Sequence, residues 1–161
     1  MNIKKIAIYF AVGLSVFTFR PAVPSEAVES APVKTYVSVS RGLSLSREEF
    51  HLLARLIHAE ARGESLDGQV AVGAVVFNRL KDPRFPKTIT GVIYENYQFS
   101  PVSDGTIELP PDAQALFAAK LALNGLDPTN GSMFFYNPDK AESRWLDGLP
   151  SLVKIGQHIF C

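Results

Sequence analysis

The sequence predicts a mainly helical α+β domain, and three observations carry that reading. A sharply capped amphipathic segment runs from about Arg47 to Arg62. An almost uniformly apolar one follows from Leu66 to Leu80, and short β-type runs gather towards the C-terminus. The 161 residues are 47% hydrophobic and 20% charged, which suits one domain of ordinary globular composition. Sixteen Lys and Arg balance sixteen Asp and Glu, so no basic excess is available for nucleic acid. The lone cysteine, Cys161, excludes an intramolecular disulfide and a Cys-based zinc site, and reads as an incidental terminal thiol. His51, His58 and His158 form no HExxH, so neither metal nor cofactor is expected.

The first element reads as an export signal. Lys4 and Lys5 precede an uncharged run, Ile6 to Phe19, which is too short for a comfortable bilayer span, and Ser25-Glu26-Ala27 offers a cleavage site after Ala27. Cleavage there places the protein outside the cytoplasm, in the extracellular space, cell wall or periplasm, with no stable membrane span left. The alternatives are a buried core helix or an uncleaved anchor. Residues 28–45 read as a linker rich in Pro, Ser, Val and Thr, with a weak edge-strand pattern from Lys34 to Arg41. The compact domain runs from Ser46 to Cys161 and is expected to be a monomer.

Ser46-Arg47-Glu48-Glu49 is a capping box, and Gly63 suits the residue after a helix end, so a helix spans about Arg47 to Arg62. On a wheel of 100° per residue, Leu53, Leu56 and Ile57 lie within about 60° of Glu60, while Arg55, His51 and His58 fall on the far side. Glu60 thus points into the apolar arc. Desolvation there raises a carboxyl pKa, and the helix C-terminus acts in the same direction. An acid kept protonated near neutrality can donate its proton to a leaving oxygen. The alternative is a core ion pair with an arginine such as Arg79. Glu49 shares the arc but is accounted for by the capping box.

The second helix, about Leu66 to Leu80, is apolar on nearly every side and is expected to be the central buried one, with Gly73 admitting a neighbouring backbone. Thr88 caps a short helix from Ile89 to about Glu95. Asp104-Gly105, between two short alternating runs, reads as a hairpin or tight loop. Pro110-Pro111 opens a helix that Asn124-Gly125 closes. Met133–Tyr136 after the Asn130-Gly131 turn, and Val153–Phe160, read as strands. Asn130-Gly131-Ser132 matches a glycosylation sequon, though turn chemistry accounts for it.

Ala59-Glu60-Ala61-Arg62-Gly63-Glu64, Gly68-Gln69-Val70-Ala71-Val72-Gly73-Ala74-Val75 and Asn78-Arg79 resemble the spore cortex-lytic enzyme family of cell-wall hydrolases. Gln98-Phe99-Ser100-Pro101-Val102, Asp104-Gly105, Asn124-Gly125 and Asp127-Pro128-Thr129 extend the match. So do Phe135-Tyr136-Asn137-Pro138, Trp145 and Ile155-Gly156-Gln157-His158-Ile159-Phe160, and together the motifs cover about residues 50 to 161. The resemblance implies a lysozyme-like fold that cuts peptidoglycan glycan strands as a lytic transglycosylase. It maps the family's catalytic glutamate onto Glu60. Well-known members also carry a peptidoglycan-binding domain, for which this chain has no room.

An ordinary retaining or inverting glycosidase needs a second carboxylate near the acid, and Glu64, Asp67, Asp104 and Glu108 are the candidates. A lytic transglycosylase needs only one. Gln98 and Ser100 suit sugar hydroxyls or an N-acetyl group, as do Tyr136 and Asn137 from a strand end; the alternative for each is ordinary turn or core hydrogen bonding. Trp145 reads as a core or rim residue more readily than a stacking one, and His158 as structural. The competing class is a non-catalytic peptidoglycan-binding or enzyme-regulating protein on the same fold.

Overall fold

The computed structural model describes residues 36–38, 44–141 and 145–161. The segment read as an export signal, most of the stretch read as a linker and the side chain of Trp145 lie outside the described residues. Within the stretch read as a linker, β1 (Tyr36–Ser38) pairs antiparallel with β2 (Ser44–Ser46), Val37 opposite Leu45. The weak strand pattern was therefore meaningful, and the compact fold begins upstream of Ser46.

Ser46 ends β2 and caps α1 (Arg47–Ala61) in the same residue. Its Oγ accepts from the Glu49 amide at 3.1 Å, and Glu49 Oε2 accepts from the Ser46 amide at 3.1 Å. Two of the orphan donors at the helix start are thus satisfied reciprocally. The helix stops at Arg62, and Gly63 turns the chain with φ +92°, a region that favours glycine. Ser65 then caps α2 (Leu66–Lys81), whose residues from Gly68 to Arg79 are all buried. Gly73 marks a close approach: a Cβ there would meet Ala122 Cβ at 2.9 Å and Ile57 Cδ1 at 3.0 Å.

Thr88 caps α3 (Ile89–Ile93), shorter than its sequence suggested. Of the hairpin or tight loop expected at Asp104-Gly105, the tight turn is found and the hairpin is not: α4 (Ser100–Asp104) is ended by Gly105 at φ +82°, then a 3-10 turn runs over Thr106–Glu108. Asp-Gly serves a left-handed helix end as well as a hairpin, and Pro101 in the first turn favours the helix. Asp112 caps α5 (Ala113–Leu123), just after the Pro pair, by accepting from the Ala115 amide at 2.8 Å.

The sheet is small: β3 (Phe135–Tyr136), β4 (Val153–Ile155) and β5 (His158–Phe160), all antiparallel in the order β3-β5-β4. Val153–Phe160 is therefore not one strand but a hairpin broken at Gly156-Gln157, with Ile155 opposite His158.

Leu53, Leu56 and Ile57 of α1 meet Val72 and Val76 of α2 and an alanine stripe on α5, Ala115, Ala118, Ala119 and Ala122. The small residues bring the α5 backbone close and leave no room for bulk. Under the sheet, Phe160 packs on Ala71 and Val75, and Phe135 touches both clusters. Polar anchors fix the loop before β3. Asp127 accepts from the Thr129 amide, the Gly131 amide and Asn78 Nδ2, at 2.8, 3.1 and 2.9 Å. Burial opposes charge on Asp127, yet these bonds hold its pKa below the usual carboxylate range.

Candidate active site

Glu60 lies one turn beyond Leu56 and Ile57, so the rigid apolar face of α1 fixes where its carboxyl points. Burial, with the charge of Asp104 added, pushes that carboxyl from 4.5 up to about 7. It has no hydrogen-bond or ion-pair partner among the described residues. The core ion pair with Arg79 does not form. Arg79 instead donates from Nε to the Met133 carbonyl at 2.7 Å, and its guanidinium lies 5.0–5.3 Å from the rings of Phe85, Phe99 and Phe134. Burial lowers its pKa to about 10 against the pull of Glu95, so it remains charged at neutral pH. Arg79 thereby ties the residue before Ser100 to the residues leading into β3.

Glu60 opens into a cleft of about 410 Å³ whose walls also carry Gln98, Ser100, Tyr136 and Asn137. All five residues singled out from the sequence thus share one cavity. Gln98 and Ser100 come from the start of α4 and the residues before it. Tyr136 ends β3, and the Asn137 side chain bridges to Gln157 Oε1 at 3.3 Å. A second hollow of about 180 Å³, lined by His58, Asp104 and Thr106 among others, shares Ala59, Arg62 and Ser100 with the first. The two adjoin and form one groove past the end of α1.

Sequence reasoning missed the floor opposite α1. Glu64 is folded under the β4–β5 turn, its Oε1 3.4 Å from the Gln157 amide and 3.5 Å from His158 Nδ1. Gly156, at φ +58°, makes this possible, since a Cβ there would collide with Glu64 Oε2. His158 therefore lines the cleft rather than serving only as a strand residue. Burial lowers its pKa, Glu64 opposes that and Lys140 reinforces it. Nothing local announces a contact across more than 90 residues; the only signal is that both ends fall in motifs of the resemblance. His58, expected on the solvent face, has a side chain only 12% exposed, its Nδ1 3.3 Å from Asp112.

The four second-acid candidates are now placed. Glu64 is engaged by the hairpin turn. Asp104 accepts from the Thr106 amide and hydroxyl at 2.8 and 2.6 Å, which holds its pKa low. Glu108 lies on the 3-10 turn rather than a strand and pairs with Arg55 at 2.9 Å. Asp67 is exposed in the first turn of α2. Among the described residues, no group of three or more His, Cys, Asp and Glu side chains is arranged to hold a metal ion.

The cell wall hydrolase family model matches residues 63–161, most of the groove-bearing domain. The chain belongs to that family. It is 45% identical over 116 residues to the spore cortex-lytic enzyme of Bacillus subtilis, covering 72% of this chain and 38% of that protein. With the spore cortex-lytic enzyme of Halalkalibacterium halodurans it shares 42% over 138 residues, 86% of this chain and 41% of the relative. The chain thus spans about two fifths of the length of these curated relatives. Among solved structures, it superposes on the catalytic domain of the germination-specific lytic transglycosylase SleB from Bacillus anthracis with a TM-score of 0.70 and 44% identity. That alignment covers 73% of this chain and 96% of the solved one. The mainly helical fold with its small sheet is accordingly that of this hydrolase family's catalytic domain.

Proposed function

We propose that this cell wall hydrolase is an exported enzyme that cuts peptidoglycan glycan strands as a lytic transglycosylase, in cortex lysis during germination, with Glu60 as its single acid and base. The observation that carries the reading is the unpartnered Glu60 carboxyl at about 7, set in a polar groove. A general acid works best with a pKa near the operating pH. Protonated Glu60 gives its proton to the glycosidic oxygen as the bond from C1 of muramic acid breaks. The carboxylate then takes the proton of the muramic 6-hydroxyl while that oxygen closes on C1. The products are a 1,6-anhydro end, a free sugar hydroxyl and a reprotonated Glu60, so no second carboxylate and no water are consumed. The engagement of Glu64, Asp104 and Glu108 by other groups supports this route over one that needs a free second carboxylate. Gln98, Ser100, Tyr136 and Asn137 hold the sugar hydroxyls and N-acetyl group. Cleavage after Ala27 releases the domain outside the cytoplasm, and N-terminal sequencing of exported protein should begin at Val28.

Mass spectrometry of the fragments released by the purified protein tests the chemistry. Anhydromuramic ends are expected; reducing muramic ends in their place would show hydrolysis. Glu60→Gln keeps the size of the side chain but cannot deliver a proton, so turnover should fall by at least about 10²-fold. A variant that clears peptidoglycan at the normal rate would sink the catalytic assignment, and tight binding without cleavage by the unmodified protein would favour the non-catalytic binder.

A further inference from the structure

Two cations line the cleft and are given nothing to do by the reaction just described. Arg62 sits at the end of α1, is exposed, and lines both hollows of the groove. Lys140 follows β3 on the turn built around Asn137, whose carbonyl accepts from the Lys140 amide at 3.1 Å, and it too is exposed in the cleft wall. Neither has an ion-pair partner among the described residues.

The acids around them are otherwise occupied. Glu64 faces the Gln157 amide and His158, and Asp104 is bonded to Thr106. Glu60 is largely uncharged below pH 7. A helix C-terminus favours a cation, which accounts for an arginine at position 62, but no helix end accounts for Lys140. Two unpaired positive side chains from separate elements, converging on one cleft, leave it attractive to an anion. An uncharged sugar polymer such as chitin offers neither of them a charge to pair with.

We propose that Arg62 and Lys140 together read a carboxylate carried by the branch of the bound glycan strand, which makes them specificity-determining residues. The inference rests on the proposed glycan substrate. Muramic acid differs from glucosamine in its lactyl branch, which ends either in a free carboxylate or in a peptide bearing carboxylates of its own. Arg62 at the junction of the two hollows is placed to engage such a branch from a sugar bound beside Glu60, with Lys140 contributing from the facing wall. Arginine offers a planar fork for a carboxylate and lysine a mobile point charge. Such exposed contacts act mainly on binding and weaken with salt.

The test varies the substrate as well as the protein. Glycan strands with intact peptides, and strands stripped of peptides to free the lactyl carboxylates, are each compared with the same material after carbodiimide coupling to methylamine, which neutralises the carboxylates. For the unmodified protein, neutralisation should raise KM about tenfold in at least one preparation, and the preparation that responds identifies the lactyl or the peptide source. The doubly substituted R62Q/K140Q protein, checked for folding by thermal melting, should already show the raised KM on untreated strands and no further response to neutralisation. Equal KM values for untreated and neutralised strands in both preparations would overturn the inference while leaving glycan cleavage intact. If no strand is cleaved, the function proposed above fails on its own account. Co-sedimentation of the Glu60→Gln protein with the same four materials then decides the carboxylate question. Binding that ignores neutralisation, or no binding, counts against Arg62 and Lys140.

Discussion

On the helical side of the cleft, Leu53, Leu56 and Ile57 hold α1 in place chiefly by burial, each fully shielded from solvent. Across the cleft, polar contacts to two carboxylates do much of that work: Asp127 gathers the loop before β3, and Glu64 holds the β4–β5 turn. The acid therefore sits on a wall fixed by packing, while the turns of the facing wall, though Phe135 and Phe160 are packed too, also depend on directional contacts. Apolar packing is felt through the whole core, whereas a few polar bonds fail locally. Damage to the first wall should appear as lost stability, and damage to the second as lost activity in a folded protein.

The largest expected effect on stability is Leu53→Ala, which leaves a cavity between α1 and its neighbours and should cost about 2–5 kcal/mol. Activity per folded molecule should persist; a well-folded but inactive Leu53→Ala protein would break the comparison. Next is Glu60→Gln on the same wall, now read as stability. The folded pKa of about 7 lies above the ordinary 4.5, so the stability associated with protonation is complete below 4.5 and is lost as pH rises through 7. At pH 8 the amide should stabilise the protein by up to about 3 kcal/mol, and at pH 4 the two proteins should match. Melting curves whose difference does not change with pH would contradict the burial of an acid.

Gly156→Ala tests the opposite wall. The left-handed backbone costs a non-glycine residue about 1–2 kcal/mol, and the new Cβ must expel the Glu64 carboxylate from the turn. The fold should survive while kcat/KM falls about tenfold or more, because a misplaced wall misplaces the proposed sugar substrate. Full activity in that variant would mean that the Glu64 contact is dispensable. The smallest effect is Ser46→Ala, which removes one half of the capping box for about 1 kcal/mol and should leave the cleft unchanged.

The same division explains what could be read from the sequence. Ser46 with Glu49, and the unbroken apolar run of α2, are local signals of short range, and both elements lie where those signals put them. Glu60 was legible because its direction follows from helical period alone. Asp104-Gly105 marked a turn but not its kind, because one dipeptide serves both a hairpin and a helix end, and the break at Gly156-Gln157 was hidden within a strand-like run. The partnership of Glu64 with Gln157 and His158, and the enclosure of Arg79 by three phenylalanines, depend on how distant segments pack. Period and propensity do not encode such contacts.

The burial of α2 on every side from Gly68 to Arg79 also sets a clock. A helix with no solvent-facing flank has no easy way to open by itself, so its amide protons should exchange with solvent chiefly when the whole domain unfolds. The amides of the five-residue α4 and of the β4–β5 hairpin can exchange through smaller openings. Deuterium uptake along α2 would therefore time global unfolding under native conditions, while uptake at the groove's edges would time the smaller local openings there.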